Sequence, residues 1–445
     1  MVTAVKAAGL RRPLRSRSEN SAATAFGRAG MVLVVTASLF NLVLCFIETR
    51  NWANAGNTGV IAIELLILAC GLFIIRHHVT PLAAKSAGLV LAYLLAAKLI
   101  NPGLDLKIFH DIAIMYIFFT LGSVASIEAG NRLVWFVMMI VLAVGMFEFL
   151  FPTQFGSVFD VWSYYVNKGI IGQDVTNYSQ TTLFISGNRG SSAGRTFLPS
   201  LLGTHRVSSI FLEPVSMGNF ATIVFAWCLS VRGEKQWSRL PLVFLAAVCI
   251  VLGDSRFGSI CCVLMLIVRF VPVIHSKFII FLMPVFAMLA LMLAGQFHEI
   301  PGVLPAIQED NFPGRLLFSG RLLDYWHPAQ WLGFAASPIY TSDTGYAYLV
   351  NNLGLPLTLL LLAMFASYTP KNKEALMMKT LITVYFATSL GVGSSIFSIK
   401  TAALLWFLYG TTDAIRRRNI VKQPRELSPT SITSLFPSAG AGRLR

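Results

Sequence analysis

The chain has 445 residues, of which 55% are hydrophobic and only 12% charged, and its mean hydropathy is +0.68. A soluble domain carries roughly 25% charged residues, so this composition excludes a soluble enzyme and makes the apolar runs candidates for membrane helices of about 20 residues each. The formal charge of +15 is then a topology signal and an attraction to the anionic lipid bilayer; it does not point to nucleic acid.

In chain order, residues 1–28 are basic and rich in Ser and Ala, the composition of a disordered cytoplasmic segment. Apolar runs follow at 29–47, 58–75, 83–100, 108–126, 133–151, 214–231, 239–253, 257–274, 278–294, 345–366, 375–391 and 396–412. They predict an all-α polytopic membrane protein with about twelve transmembrane helices across residues 29–412, followed by a basic cytoplasmic tail, 413–445. With both termini in the cytoplasm, most of the 35 Lys and Arg residues fall on the cytoplasmic side, the usual asymmetry. That orientation sends two long polar segments, 152–213 and 295–344, to the outer side. The first run is not a removable signal, because no small-x-small site follows it and Arg50-Asn51-Trp52 anchors its far end. All six cysteines lie inside apolar runs and read as small core residues, with no disulfide framework and no Cys/His metal spacing.

The outer segments hold the candidate chemistry. "RVSSIFLEP", 206–214, ends on a proline suited to the first position of a helix. It therefore sets Arg206 and Glu213 beside the mouth of the sixth run, where backbone N–H groups favour anions. Either the two residues form a salt bridge pinning the loop, or they serve a ligand. "GDSRFGS", 253–259, is a short outer turn that carries Arg256 to the membrane surface. Arg315 and Arg321 follow in the second outer segment, with Asp324 and His327 nearby, and Asp343 enters the mouth of the tenth run. Arginines gathered at one depth suit a phosphate or pyrophosphate, which the guanidinium binds bidentately.

The three stretches "RVSSIFLEP", "DSRFG" at 254–258 and "DTGYAYLVNNLG" at 343–354, taken in order with the helix plan, resemble the O-antigen polymerase (Wzy-type) and O-antigen ligase superfamily. Within it the chain looks most similar to polymerases of xanthan-type exopolysaccharide repeat units. The resemblance implies a bacterial inner-membrane glycosyltransferase acting at the periplasmic face. Its donor and acceptor would both be undecaprenyl-pyrophosphate-linked glycans, and a co-polymerase would control chain length. It also implies that Arg206 and Arg256 contact the donor pyrophosphate; Arg315 and Arg321, from the residue pattern alone, are further candidates for binding it. Ligases carry a His where this chain has Asp343 ahead of Gly354, a departure that favours a polymerase.

The residues themselves are compatible with that chemistry. A pyrophosphate leaving group needs positive charge where negative charge develops, and the attacking hydroxyl needs a base within hydrogen-bond reach. Asp343 is the first candidate for the base, followed by Glu213 and His327. No Asp-x-Asp occurs, which fits a donor other than a metal-held nucleotide sugar, with no cofactor expected. The rival class is a flippase or transporter of lipid-linked oligosaccharide, which would place charge deep in the membrane; Glu64, in the second run, is its clearest candidate. A structural membrane scaffold is the third reading.

Overall fold

A chain in hydrocarbon must satisfy its backbone N–H and C=O groups within itself, which a helix does segment by segment. The computed structural model follows this rule. It describes residues 17–54, 56–170, 183, 196–231, 239–296, 312–339, 341 and 344–414, and no β-strand occurs among them. These residues belong to a unit running Met1–Ala414; the second unit, Ile415–Arg445, lies outside the described residues.

The chain begins with α1 (Arg17–Thr49), α2 (Gly56–Ile75), α3 (Pro81–Ile100), α4 (Lys107–Ser123) and α5 (Ile127–Leu150). The first long loop carries the short helices α6 (Pro152–Val158), α7 (Val161–Asn167) and α8 (Pro199–Leu202). Then come α9 (Pro214–Ser230), α10 (Leu240–Leu252), α11 (Arg256–Phe270) and α12 (Lys277–Gln296). The second long loop folds partly as α13 (Phe312–Asp324) and α14 (Pro328–Trp331), ahead of α15 (Gly345–Ser367), α16 (Lys373–Ser389) and α17 (Ile399–Asp413). Each apolar run is thus helical. α1 starts earlier than expected, inside the segment read as disordered, because Ala22, Ala23 and Ala25 are strong helix formers that extend the run backwards.

Among the described residues, six helices are long and apolar enough to cross a membrane: α1 over Phe26–Thr49, α2, α3 over Ala83–Ile100, α5, α12 and α15. The other six apolar helices are shorter, and several are enclosed by protein. Every residue of α17 is buried, as are most of α9 and α16, so lipid sets no minimum length for them. By contrast, α3 exposes Leu89 at 72% and Leu99 at 85%. The core is therefore α17 at the centre, packed against α1, α4, α5, α9 and α16. Of the cysteines, Cys45, Cys249 and Cys261 are buried as expected, but Cys70 is exposed on α2 and takes no part in the core.

Helices α4 and α17 meet backbone to backbone. A Cβ on Gly122 would lie 2.0 Å from the Phe407 carbonyl oxygen, and one on Gly410 would lie 2.1 Å from that of Phe119. Small residues are what let membrane helices approach this closely. α12 and α13 cross in the same way at Gly320, whose Cβ would sit 1.9 Å from Leu291 O. Both long loops emerge at the end of the bundle where α9 and α17 begin: Tyr165 reaches Glu213, and Ser319 Oγ donates to Gly391 O, just past α16.

Gly122→Ala should cost at least the 1–3 kcal/mol typical of overpacking, because a carbonyl oxygen cannot yield. Gly59→Ala, in α2 with nothing within 4 Å of its Cβ position, should be neutral or mildly stabilising. Thermal unfolding of the two variants in detergent measures the difference.

Candidate functional site

The segment that delivers Glu213 is held by a carboxylate the sequence reading passed over. Glu148, in α5, is 0% exposed. Ser208 N donates to both of its oxygens at 3.0 Å, Ser208 Oγ to Oε1 at 2.9 Å and Ser209 N to Oε2 at 2.6 Å, while His205 Nε2 lies 3.1 Å from Oε1. Ser209 and Leu212 take φ values of 53° and 61°. Left-handed non-glycine residues of this kind cost about 1–3 kcal/mol each and persist only where surroundings enforce them. The bonds to Glu148 do so at Ser209, together with Ser209 Oγ donating to Val141 O at 2.6 Å.

Beyond this strained segment, Pro214 opens α9 as the sequence suggests, and Glu213 stands at its N-cap. Its Oε1 accepts from Tyr165 Oη at 2.6 Å and lies 3.2 Å from Lys400 Nζ, and its Oε2 accepts from Ser216 Oγ at 2.8 Å. Lys400, in the first turn of α17, is 7% exposed, and Glu213 is 27% exposed. Glu213 thus pairs with Lys400 and not with Arg206. Burial alone would raise the Glu213 carboxyl; the Lys400 ammonium, helped by the Tyr165 and Ser216 hydroxyls, outweighs it and holds the group at about 2.

Lys168, following α7, lies 5.9 Å over the Tyr164 ring and 5.8 Å over that of Tyr165. Burial, then repulsion from Lys400, pushes its ammonium down to about 8, against the pull of Glu213 and Glu64, with Lys107 adding a little. Lys168 therefore links the Glu213 group to a second one. There, Lys107 Nζ is 2.9 Å from both oxygens of Asp111, Tyr348 Oη donates to Asp111 Oδ2 at 2.7 Å, and His110 Nδ1 is 3.1 Å from Asp111 Oδ1. His110 Nε2 faces Glu64 Oε2 at 3.6 Å. Helices α2, α4, α7, α15 and α17 thus bring acids, lysines and tyrosines together at one end of an apolar bundle.

The sequence-predicted arginines lie elsewhere. Arg206 is buried, and its Nε donates to Gly253 O at 3.1 Å. Arg256, at the start of α11, donates through Nε to Thr196 Oγ1. Between them Asp254 accepts from the backbone N–H groups of Thr196 and Phe197, at 2.9 and 3.1 Å. The turn 253–256 thus collects Arg206 and Arg256. Arg315 and Arg321 are half-buried on α13, against α12. Asp324 is tied to Gln296 at 3.1 Å, and His327 is exposed at the start of α14, its N–H donating to Gln330 Oε1 at 2.9 Å. Asp343 lies outside the described residues, as does the Gly- and Ser-rich stretch up to residue 195. Among the described residues no group of three or more His, Cys, Asp and Glu could hold a metal ion.

Lys400 and Glu148 were missed because hydropathy averages them away, whereas Lys168 lies in the long polar segment 152–213, where nothing local distinguishes it. The available signal was a lone charge within or beside an apolar run, which in a membrane protein is a functional candidate by default. Comparison of the chain with protein-family models, curated proteins and solved structures returns no match.

Because the folded Glu213 value lies below the ordinary 4.5, its contribution to stability is complete above about pH 4.5 and is lost as pH falls toward 2. At neutral pH, Lys400→Met strands the carboxylate and should lower unfolding stability by about 3 kcal/mol. Adding Glu213→Gln should recover much of that loss. Denaturant unfolding of the single and double variants checks the coupling; additive effects would show that the pair contributes nothing.

Proposed function

We propose that the protein is a polysaccharide polymerase that joins undecaprenyl-pyrophosphate-linked oligosaccharide units at the periplasmic face of a bacterial inner membrane, alongside a co-polymerase. The observation that carries this reading is a pair of lysines around one fixed carboxylate at the end of an apolar bundle, with two arginines collected at a separate turn. Lys168 and Lys400 face Glu213, and Arg206 and Arg256 share the turn 253–256. Positive charge of this kind, at the level where helices end, suits a pyrophosphate whose lipid tail stays in the bilayer.

In the proposed reaction an acceptor hydroxyl oxygen attacks the donor's anomeric carbon. The bond from that carbon to the phosphate oxygen breaks, and its electron pair leaves on the lipid pyrophosphate, stabilised by cations already in place. The hydroxyl proton passes to a base whose pKa should lie near the working pH. Glu213, held at about 2, is too weak a base; its role in the proposal is to fix Lys400. Asp343 remains the proposed base. His327 stands exposed on the second loop, and a ligase reading is disfavoured by Asp343 itself.

One observation favours a second reading, a flippase or transporter. Glu64 lies about midway along α2 and faces His110, an arrangement that suits a proton or ion path. An assay without two compartments separates the classes. Purified protein in detergent, given lipid-linked repeat units, should lengthen them without nucleotide sugar and with EDTA present. Asp343→Asn should slow this by about 10²–10⁴, the range of general-base catalysis. Arg256→Ala should cost on the order of 10²–10³, as for loss of one charge-stabilising donor. Absence of any extension by the wild type, with transfer across vesicles intact, would sink the polymerase reading.

The lysine value gives a pH test. Lys168 is charged below about 8 and loses its proton above, so donor binding should weaken as pH rises through 8. Lys168→Arg, which stays protonated, should move that alkaline limb up by more than one unit in a rate–pH profile.

A further inference from the structure

At the opposite end of the bundle, where α12 begins and α15 ends, a cavity of about 420 Å³ opens. Its volume is within the ordinary range for ligand pockets, roughly 300–1,000 Å³. Lys277, Lys371, Lys373, Lys379 and His275 line it, and none of its lining residues is acidic. Ile280 and Leu376 supply apolar lining.

The cations differ in how far they are already engaged. Lys371 Nζ is 3.4 Å from Asp413. Lys379 is fully buried and donates to Ala366 O at 2.8 Å and Tyr368 O at 2.7 Å, so one of its three ammonium donors is left over. Lys277 donates to the neutral Thr369 hydroxyl at 2.8 Å. Neither Lys277 nor Lys373 pairs with a carboxylate among the described residues, and both are exposed. Just outside, Val273 and Phe278 are each 70% exposed, as side chains facing lipid are. Positive charge thus stands beside apolar lining at the level where apolar helices end.

We propose that this cavity binds an anionic phospholipid, its phosphate between Lys277 and Lys373, with the buried Lys379 ammonium behind them, and its acyl chains along Ile280 and Leu376. The chain's own tail beyond 415 cannot supply the counter-charge, since it carries Arg416-Arg417-Arg418 and is itself basic. The shared chemistry, a phosphate, could also come from free inorganic phosphate, and the experiment separates the two.

Delipidated protein in detergent is titrated with phosphatidylglycerol, with phosphatidylcholine, or with sodium phosphate, and the thermal unfolding midpoint is read. Phosphatidylglycerol should raise it saturably, phosphatidylcholine far less, and sodium phosphate not at all at millimolar concentration. Lys277→Gln/Lys373→Gln should weaken the phosphatidylglycerol response by roughly ten- to thirtyfold, the share expected of two juxtamembrane cations. Lys85→Gln/Arg132→Gln, which removes the same charge from exposed positions elsewhere, should leave it unchanged. Restoring charge with Lys277→Arg/Lys373→Arg should restore the response, which guards against a folding defect in the Gln variant. Equal loss in both Gln variants, or loss in neither, overturns the site. An equal response to sodium phosphate overturns the lipid as its occupant.

Discussion

A carboxylate withdrawn from water must be met by donors, and the architecture of the charged end depends on how Glu148 meets this demand. It takes the Ser208 and Ser209 N–H groups and the Ser208 hydroxyl, with His205 alongside. These groups lie on the chain that would otherwise relax out of its left-handed turns. The carboxyl group and the strained loop therefore stabilise one another: without the loop its buried oxygens are orphaned, and without those acceptors the loop has no reason to hold φ near 53° at Ser209. Everything after it, from Leu212 to the opening of α9, inherits its position from that contact.

The same rule governs the central helix. α17 is enclosed along its whole length, yet it carries Lys400 in its first turn and Asp413 in its last. Each charge is met by another element: Lys400 by Glu213, and Asp413 by Lys371 and the Tyr368 hydroxyl, the latter at 2.5 Å. Breaking a buried pair is far costlier than never having built it. The two ends of α17 are thus fixed points that oblige α7, α9, α15 and α16 to return to them. The cations nearest Glu213 are lysines, while Arg206 donates to a backbone carbonyl and helps shape the neighbouring turn.

Much of the helix plan was legible in the sequence, because hydropathy over some 20 residues reports directly on hydrocarbon burial. Pro214 marked the start of α9 because its missing N–H can be tolerated there. The candidate site was legible only in part. Glu213 is singled out by its place beside Pro214, but its partners Tyr165 and Lys400 are brought to it by folding alone, from the first long loop and from the last helix. Helix α13 was hidden for a related reason. Gly320 disfavours helix locally, yet it is what allows the backbone to lie against Leu291, and that gain exists only once α12 is in place. Cys70 shows the converse: an apolar run does not say which of its faces meets protein and which meets lipid.

The length of α17 has a mechanical consequence. Its 15 residues rise about 22 Å at 1.5 Å per residue, whereas an ordinary bilayer has a hydrocarbon thickness of about 30 Å. Lipid sets no such minimum for α17, because other helices enclose it along its whole length, and the charged groups at its two ends are met by protein instead. The Asp413 end lies level with the end of α15, whose C-cap residue Tyr368 donates to it. Lengthening or shortening α17 by one turn would part Lys400 from Glu213 or Asp413 from Tyr368, so the distance between these two contacts fixes the length of the helix.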